Sequence, residues 1–512
     1  MNEQARVLLL NPPTAAQSTE ISLSLAYLAS SLRMRNHVVK IIDATAPFNP
    51  KSAEEVKKEI IEFNPHFIGV TITITFVAQT YDLLEDLKKL GIPIVAGGSH
   101  VNPLPEEALA RGVDIVALGE GERTIVELAD YFIGKNKNLQ SIPGLCIKNN
   151  DGTYHKTEPR SLIENIDEIP FPSFDDFPIK NYTGRDDVDS NPIFWALFSS
   201  RGCPFNCTFC CGYNVFGRTY RFRSAQNIFA EIKLLIDKYG VKKIAFQDDE
   251  ILINKKRILE LYNLLLENKL KIRMSLRSRI DSIDVDLLRK MQEVGFRRIS
   301  FGIESWNDET LKKINKRFTL KDIKKGLNVL DASEFPYINF NTIIGFPWET
   351  KEHLKKNLKT LAEIPKSLRY FSVVVTPIPY PNTLIYNDYH KEYGFTNWWL
   401  NPKMHWDGFP ASLPRPIFLC FAKMMMPLYT PDLFWHYSKK RQKEFEWFCW
   451  NVFKLSIRRH VSFRLYLFIY SLSRLSHFAW KISPQLEHAI FRFVPKRLIA
   501  KAEKMISFTN ME

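Results

Sequence analysis

The sequence is poor in cysteine and lacks both a signal-like N-terminus and a long apolar run. The start, MNEQARVLLLNPP, has no basic segment followed by a long hydrophobic stretch, which argues against a secretory signal. No run of 18 uninterrupted apolar residues occurs, so no membrane-spanning helix is expected. The 512 residues include 7 cysteines, and four of these lie between positions 203 and 211. An odd, clustered set argues against a disulfide framework and predicts a reducing cytoplasm.

Positive charge is concentrated near the C-terminus. Of the net charge of +14, residues 415–512 carry 17 Lys and Arg against 6 Asp and Glu, together with 20 aromatic residues. Two interpretations stay open: a helical cap with a solvated basic face, or an amphipathic surface for an anionic membrane or a lipid-like substrate. No recognisable nucleic-acid-binding module accompanies the charge, so no nucleic acid partner is expected.

The first 140 residues alternate apolar strands with amphipathic helices, which predicts a parallel, doubly wound sheet. Ligands of such sheets bind beyond the carboxyl ends of the strands. Two of these ends are glycine-rich, GGSH at 97–100 and GEGE at 119–122. Each could be only a tight turn, but glycine loops at successive strand ends favour close approach of a large flat ligand. Residues 141–195 are rich in proline and are predicted to be a linker.

The cysteines at 203, 207 and 210 have the spacing C-x3-C-x2-C. Three thiolates on one loop suit an iron–sulfur cluster and leave one iron of a four-iron cluster open for chemistry. A structural zinc site is the alternative, but it needs a fourth ligand, and no nearby histidine supplies one. Cys211 directly follows Cys210, so its side chain is expected to point away. The remaining cysteines, at 146, 420 and 449, are interpreted as buried apolar residues.

The stretch RGCPFNCTFC resembles the signature of the radical S-adenosylmethionine (SAM) superfamily, C-x3-C-x-aromatic-C, with Phe209 as the aromatic residue. The chain also resembles the branch of that superfamily with an N-terminal cobalamin-binding domain. The shared features are a strand ending in Asn-Pro-Pro, a helix like SLSLAYLAS, and the GG-x-H and GEGE loops. They occur in the family's order over roughly residues 5 to 390.

The resemblance implies an α/β protein with four regions. These are a doubly wound, Rossmann-like cobalamin-binding domain at 1–140, the linker at 141–195, a partial (βα)6 radical SAM barrel with a [4Fe–4S] cluster at 196–390, and a basic, mainly helical C-terminal region at 391–512. The cluster ligands are then Cys203, Cys207 and Cys210.

The family holds SAM with strand ends of the barrel. QDDE at 247–250 occupies the position that binds the methionine amino group, and either Asp248 or Asp249 could do so. GFPWET at 345–350 resembles the G-x-P-x-E-T element that flanks the adenosine. Arg277 could equally be a surface residue. The SAM-binding residues implied are Phe209, Gln247, Asp248, Asp249, Arg277, Glu304, Gly345 and Pro347.

Cobalamin is expected at the carboxyl edge of the first sheet. The D-x-H-x-x-G loop of proteins that ligate cobalt through histidine is absent, so His100 is interpreted as a loop residue near the corrin. The cobalamin-binding residues implied are Asn11, Pro12, Thr71, Thr73, Gly97, Gly98, Ser99, His100, Gly119, Glu120, Gly121 and Glu122.

The resemblance implies a radical SAM enzyme that uses a [4Fe–4S] cluster, SAM and cobalamin to methylate an unactivated carbon of a small-molecule or lipid-like intermediate. A cyclase or rearrangement enzyme, an enzyme that has lost cobalamin binding and a non-catalytic cobalamin/iron–sulfur sensor are the alternatives. An electron donor such as flavodoxin or ferredoxin is implied. The expected location is the cytoplasm, with peripheral contact to the inner face of the membrane through the C-terminal region.

Overall fold

The structure, a computed structural model, describes residues 4–13, 21–46, 50–177, 195–400 and 439–457. The chain forms two compact units. The first comprises residues 1–251, 263–268 and 379–411, and the second comprises residues 252–262, 269–378 and 412–512. The two units are described separately below.

The N-terminal part of the first unit is a seven-stranded sheet with strand order β2-β1-β3-β4-β5-β6-β7. Strands β1 to β5 run parallel, as the alternating sequence pattern predicts, whereas β6 and β7 pair antiparallel. The strands are β1 Arg6–Asn11, β2 Val38–Asp43, β3 Phe67–Thr71, β4 Ile94–Gly97, β5 Ile115–Ala117, β6 Leu145–Lys148 and β7 Tyr154–Lys156.

Helices cross between these strands and bury their apolar residues. Helix α2 begins with a capping box formed by Ser52 and Glu55. The interior of β1 is apolar, with Leu8, Leu9 and Leu10 fully buried, as expected for a strand covered on both faces. The helices are α1 Leu23–Arg33, α2 Ala53–Phe63, α3 Val77–Leu87, α4 Pro105–Ala110 and α5 Gly121–Phe132.

Part of the predicted linker belongs to this sheet. Strands β6 and β7 form a hairpin whose turn, at residues 149–153, is the NNDGT segment. The antiparallel hairpin extends the parallel sheet beyond β5, where Val116 pairs with Cys146. The residues Asn, Asp and Gly in this segment are typical of a turn, but apolar and polar residues alternate only weakly in the two short strands.

The first unit also contains the beginning of the radical SAM region. Strands β8 (Trp195–Leu197) and β11 (Lys243–Phe246) pair in parallel, and β9 (Ser200–Arg201) and β10 (Arg221–Phe222) form a two-stranded antiparallel ladder. In the following helix, Ser224 accepts a hydrogen bond from the amide of Asn227, and Gly240 ends the helix in the left-handed conformation. The helices are α6 Tyr213–Phe216 and α7 Ala225–Tyr239.

The second unit contains four parallel strands paired in sequence order. Parallel strands alternating with helices in this unit agree with the predicted α/β class. The strands are β12 Arg273–Ser278, β13 Phe296–Glu304, β14 Tyr337–Ile343 and β15 Tyr370–Val375.

The helices of the radical SAM region are, in chain order, α8 Lys255–Glu267, α9 Val285–Glu293, α10 Asp308–Lys313, α11 Leu320–Ser333, α12 Lys351–Ala362, α13 Leu384–Tyr389 and α14 Lys439–Ile457. Helix α8 is divided between the units after Tyr262, and α13 belongs to the first unit.

Helix α14 is the described portion of the basic, aromatic C-terminal region. It packs on α12 and β15 and buries Phe445, Phe448 and Val452, while Trp447 remains exposed. This segment therefore has the character of a helical cap on the second unit. The rest of the region, 401–438 and 458–512, lies outside the described residues. Across the described ranges, no helix is both long enough and apolar enough to span a membrane.

Candidate functional site

The cysteine loop, residues 202–211, follows directly on β9. Gly202 has φ +79°, and a Cβ there would lie 2.3 Å from the carbonyl oxygen of Thr219. Only glycine fits this left-handed, crowded position, which explains the Arg-Gly before the first cysteine. A turn inside the loop brings the amide of Cys210 to the carbonyl of Cys207 at 3.2 Å. The loop is thus shaped by its own backbone.

The predicted cluster ligands share this loop. Cys210 is exposed, while Cys203 and Cys207 are half-buried. Burial raises the pKa of Cys203 to about 11, and the negative charges of Asp249 and of the other two cysteines raise it further. The amide of Gly212 donates to Cys210 Sγ at 3.4 Å, the kind of contact that stabilises a cluster sulfur. Three cysteine side chains on one short loop fit an iron–sulfur cluster, whose irons take thiolate ligands.

Cys211 differs from these three in its surroundings. Burial raises its pKa to about 12, above that of Cys203, with a further contribution from Cys210. Among the residues that the structure describes, no three His, Cys, Asp or Glu side chains form a group that could hold a metal ion. The ligands of a cubane bind separate irons, so the donor chemistry of the loop, rather than convergence on one point, supports the cluster.

The structure separates the two aspartates that the sequence left as alternatives. Asp248 is buried and accepts hydrogen bonds from the amide and hydroxyl of Ser199, at 3.1 and 2.7 Å, and from the hydroxyl of Ser200. Asp249 is exposed and lies close to the cysteine loop, since a Cβ on Gly212 would be 3.5 Å from its carboxylate. Asp248 therefore ties β11 to the start of β9, whereas Asp249 is an exposed carboxylate near the cysteine loop.

The glutamates of the second glycine loop, residues 119–122, bind arginines that flank the cysteine loop. Glu120 accepts from Arg201 Nη1 and from Arg221 Nη1, each at 2.8 Å, and Glu122 accepts from Arg201 Nη2. All four side chains are buried. Although burial opposes its charge, the two arginines hold the pKa of Glu120 below its usual value. The sequence places both glutamates at the corrin, whereas their carboxylates bind this chain.

Asn102 joins the two glycine loops, a role that sequence reasoning missed. Its side-chain amide donates to the carbonyl of Gly98 at 2.8 Å, and its oxygen accepts from the amide of Gly119 at 2.7 Å. Gly119 has φ +77°, and no atom of the described residues lies within 4 Å of its Cβ position. Among the same residues, a Cβ on Gly97 would meet only the carbonyl oxygen of Ala117, at 3.9 Å. These open glycine faces fit a flat ligand.

Other residues assigned to cobalamin have varied surroundings. A Cβ on Gly98 would lie 2.8 Å from the carbonyl oxygen of Ile72, so this glycine serves packing within the chain. Asn11 donates from its side chain to Asp43 and Thr45, both at 2.9 Å. Of the rest, Pro12 is buried, Thr71 and Gly121 are half-buried, and Thr73 and Ser99 are exposed.

His100 lies in a buried polar group rather than on an open loop. Its Nε2 is 3.0 Å from Glu107 Oε1, and its ring packs edge-on against Trp399. Glu107 also accepts from Tyr81 at 3.0 Å and from Trp399 at 2.9 Å. Although burial opposes its charge, hydrogen bonds from His100 and Trp399 hold the pKa of Glu107 below its usual value.

The segment at 379–400 returns to the first unit and packs on the cysteine loop. The amide of Ile385 donates to the carbonyl of Thr208 at 3.1 Å, and Asn382 Nδ2 donates to Asn214 at 3.0 Å. Through Trp399 the same segment reaches Glu107. A segment that follows the cysteine loop by more than 160 residues is therefore packed against it.

In the second unit, Glu304 ends β13 in a strained conformation. Its φ is +66°, at a register shift between β13 and β14. The side chain is buried and pairs with Lys316 Nζ at 3.2 Å. Arg277, on β12, is exposed, whereas Arg279 is buried, binds Asp281 and donates to the carbonyl of Lys316 at 2.9 Å. Only Glu304 has the burial and strain typical of a functional position.

The GFPWET loop, residues 345–350, is organised around Glu349. This buried carboxylate accepts from the amides of Gly345 and Phe346 at 2.7 and 3.2 Å. Burial raises the pKa of Glu349 to about 7, and these amides and Arg441 oppose the shift. From helix α14, Arg441 donates to the carbonyls of Phe346 and Glu349 at 2.9 and 2.7 Å. Pro347 is half-buried.

These features define a two-cofactor α/β protein: a thiol-rich loop for an iron–sulfur cluster, and a doubly wound domain with glycine-rich strand ends. Family models agree with both parts. Residues 197–361 match the radical SAM superfamily, and residues 14–129 match the B12 binding domain.

Comparisons with other proteins extend over most of the chain. An uncharacterised methyltransferase of Pyrococcus horikoshii is 34% identical over 410 residues, which cover 77% of this chain and 83% of that protein. Hopanoid C-3 methylase of Methylococcus capsulatus is 23% identical, over 81% of this chain and 77% of its own. The solved structure of TsrM from Kitasatospora setae, with cobalamin and a [4Fe–4S] cluster bound, has a TM-score of 0.62 at 17% identity, over 76% of this chain and 75% of that one.

The chain belongs to the cobalamin-dependent radical SAM family. The family and fold predicted from the sequence are thereby confirmed, as are its cofactors: a [4Fe–4S] cluster, SAM and cobalamin. The individual SAM and cobalamin contacts remain predictions.

Proposed function

We propose that this protein is a radical SAM C-methyltransferase that acts on an unactivated carbon of a small, apolar or lipid-like intermediate. The observation that carries the proposal is the joining of the cysteine loop to the second glycine loop within one compact unit, through Arg201 and Glu120. A radical at a substrate carbon needs both cofactors within reach, and this unit contains the parts of the chain that hold them.

Each residue has a defined part in this proposal. Cys203, Cys207 and Cys210 hold the cluster, and Asp249 faces the ammonium group of SAM as a counter-charge. In the second unit, Glu304 and the GFPWET loop are proposed to contact SAM as in the family.

The corrin is proposed to lie against Gly97 and Gly119, whose Cβ positions are open. When bound, cobalamin supplies a methyl group to a carbon radical. The protein's own contribution is to position these groups and to exclude water.

The net reaction is balanced with two molecules of SAM and two electrons. The carbon–hydrogen bond is replaced by a carbon–methyl bond, and the products besides the methylated compound are 5′-deoxyadenosine, methionine and S-adenosylhomocysteine. The electrons require a one-electron donor such as a flavodoxin or ferredoxin. Cyclisation or rearrangement without net methylation consumes no second SAM and yields no S-adenosylhomocysteine.

The lipid-like substrate class rests on composition and on one relative. The hopanoid methylase, by its name, methylates a hopanoid, and it matches 81% of this chain. Residues 415–512 combine 20 aromatic residues with an excess of positive charge, which is typical of interfacial segments. We propose cytoplasmic peripheral contact with an anionic membrane through this region, where each basic residue contributes about 1 kcal/mol.

The test uses anaerobically purified full-length protein with and without added hydroxocobalamin. Under reduction with titanium(III) citrate and SAM, we expect both 5′-deoxyadenosine and S-adenosylhomocysteine, the second only when cobalamin is bound. If 5′-deoxyadenosine forms without cobalamin-dependent S-adenosylhomocysteine, the result would favour cyclisation or rearrangement over methyl transfer. Formation of neither would leave the sensor interpretation.

A further inference from the structure

We propose that Arg201, Arg221, Glu120 and Glu122, here called the ion quartet, are positioning residues that set the distance between cobalamin and the iron–sulfur cluster. The inference rests on the proposed placement of the two cofactors. It goes beyond that function because it assigns the spacing of the cofactors to residues whose charged groups bind one another.

The two arginines are direct cross-strand partners. Arg201 on β9 is in register with Arg221 on β10, and the chain between them carries all three cluster cysteines. Like charges at opposed positions of an antiparallel pair destabilise it. The base of the hairpin that holds the cysteine loop therefore requires a negative charge between its arms.

Glu120 supplies that charge by reaching both arms. Its Oε1 accepts from Arg201 Nη1 and its Oε2 from Arg221 Nη1, each at 2.8 Å. The same Oε2 accepts from the amide of Ile163 at 2.8 Å. Glu122 pairs with the second nitrogen of Arg201, so two negative charges balance two positive charges in a buried setting.

The quartet holds the two cofactor loops by their nearest residues. Arg201 is two positions before Cys203, and Glu120 lies between Gly119 and Gly121, where α5 begins. Side chains so close to both loops leave little freedom for one loop to shift relative to the other. Charge-assisted, forked hydrogen bonds also specify angle as well as distance.

Stability alone does not account for four buried charges. Desolvation cancels much of the attraction in buried ion pairs, and apolar replacements of similar volume are often as stable or more so. We therefore assign the quartet the role of fixing the position of the cysteine loop relative to the second glycine loop.

The chain offers a matched control nearby. Arg223 and Glu231 form another buried ion pair in the same unit, two residues beyond Arg221. Glu231 is fully buried on α7. The side chain of Arg223 donates to Glu231, to Asn227 and to the carbonyl of Phe198, all outside the glycine loops. Glu231→Gln should therefore cost stability as a buried charge change does, without moving the cofactors relative to each other.

The experiment is pulsed electron paramagnetic resonance on holoenzyme carrying cob(II)alamin and the reduced cluster. Full-length Glu120→Gln, Glu122→Gln, Glu231→Gln and parent protein are compared at equal iron and corrin content. We expect the spin–spin distance distribution to widen or shift in Glu120→Gln and, less strongly, in Glu122→Gln. It should match the parent in Glu231→Gln, whatever the melting temperature.

A second readout is the ratio of S-adenosylhomocysteine to 5′-deoxyadenosine, which we expect to fall at least fivefold in Glu120→Gln. Parent-like distances in both Glu120→Gln and Glu122→Gln would overturn the proposal, as would an equal change in Glu231→Gln. If Glu120→Gln loses its cofactors, Glu122→Gln, which keeps both Glu120 contacts, decides the outcome. The distance does not depend on methyl transfer, so failure of the proposed function is recognised separately by absent S-adenosylhomocysteine.

Discussion

Arg441, in helix α14, donates a hydrogen bond of 2.7 Å to the carbonyl oxygen of Glu349, in the loop that links β14 to α12. A second bond from the same nitrogen reaches Phe346 at 2.9 Å. One basic residue of the C-terminal region thus restrains the GFPWET loop. The general excess of positive charge could not have indicated which residue does so.

Replacement of Arg441 is expected to weaken SAM binding. Hydrogen bonds to a charged group contribute about 1.5–3 kcal/mol, so a loosened loop should raise the dissociation constant for SAM about tenfold in Arg441→Ala. Lys443→Ala, two residues away and exposed, is the matched control. Isothermal titration under anaerobic conditions measures both, and equal affinities in the two variants would refute this role.

The stability of the second unit should depend on pH through Glu349. Its pKa is raised from 4.5 to about 7, so the folded state holds the proton more tightly than the unfolded state. The stability that this proton contributes is complete below pH 4.5 and is lost as pH rises through 7. In Glu349→Gln, which keeps an oxygen for the two amides, that loss is absent.

Urea unfolding at pH 5 and pH 8 measures the effect. We expect the parent to lose roughly 2–3 kcal/mol more than Glu349→Gln over this interval. If the free energy of unfolding changes equally with pH in the two proteins, the Glu349 carboxyl titrates in its ordinary range.

Asp248 and Asp249 should respond oppositely to the same change. Asp248→Asn disrupts a buried carboxylate with three hydrogen-bonded groups, so it should lower the free energy of unfolding by about 1–3 kcal/mol. Asp249→Asn, at an exposed position, should keep the melting temperature but weaken SAM binding at least tenfold. Thermal unfolding and SAM titration of both variants measure these effects. The reverse pattern would assign SAM binding to Asp248 and the structural role to Asp249.

Gly119 and Gly134 form a matched pair for locating cobalamin. Both have positive φ, +77° and +80°, and in the described part of the chain no atom lies within 4 Å of either Cβ position. Leucine at either position therefore meets the same backbone strain, about 1–2 kcal/mol. Gly119→Leu alone should lose hydroxocobalamin on gel filtration. Retention of the corrin by Gly119→Leu would place the site elsewhere, whereas loss by both would indicate a general effect of strain.

Much of the fold and the cluster loop could be predicted because they depend on local sequence. Strand and helix alternation, the capping by Ser52 and the cysteine spacing are all encoded over short stretches. The role of Glu120 could not be predicted in this way, because its partner Arg201 lies 81 residues away. The motif of Glu120 indicated cobalamin, and that of Arg201 indicated the iron–sulfur cluster. Asn102 gave no signal for the same reason.

The sequence also could not distinguish the roles of the adjacent residues Asp248 and Asp249. Both aspartates follow the end of β11, where Asp248 is buried and Asp249 is exposed. The sequence QDDE does not state which, whereas the contact between Asp248 and Ser199 does. A contact between residues distant in sequence therefore distinguishes the two aspartates.

The most direct test of the central claim compares single alanine variants of Cys203, Cys207, Cys210 and Cys211. Each protein is purified and reconstituted without oxygen, and iron content and 5′-deoxyadenosine formation are measured. We predict that the first three variants lose the cluster and SAM cleavage, because each removes one of three ligands, while Cys211→Ala keeps both. Loss of iron in Cys211→Ala as complete as in Cys207→Ala would contradict the ligand assignment on which the account depends.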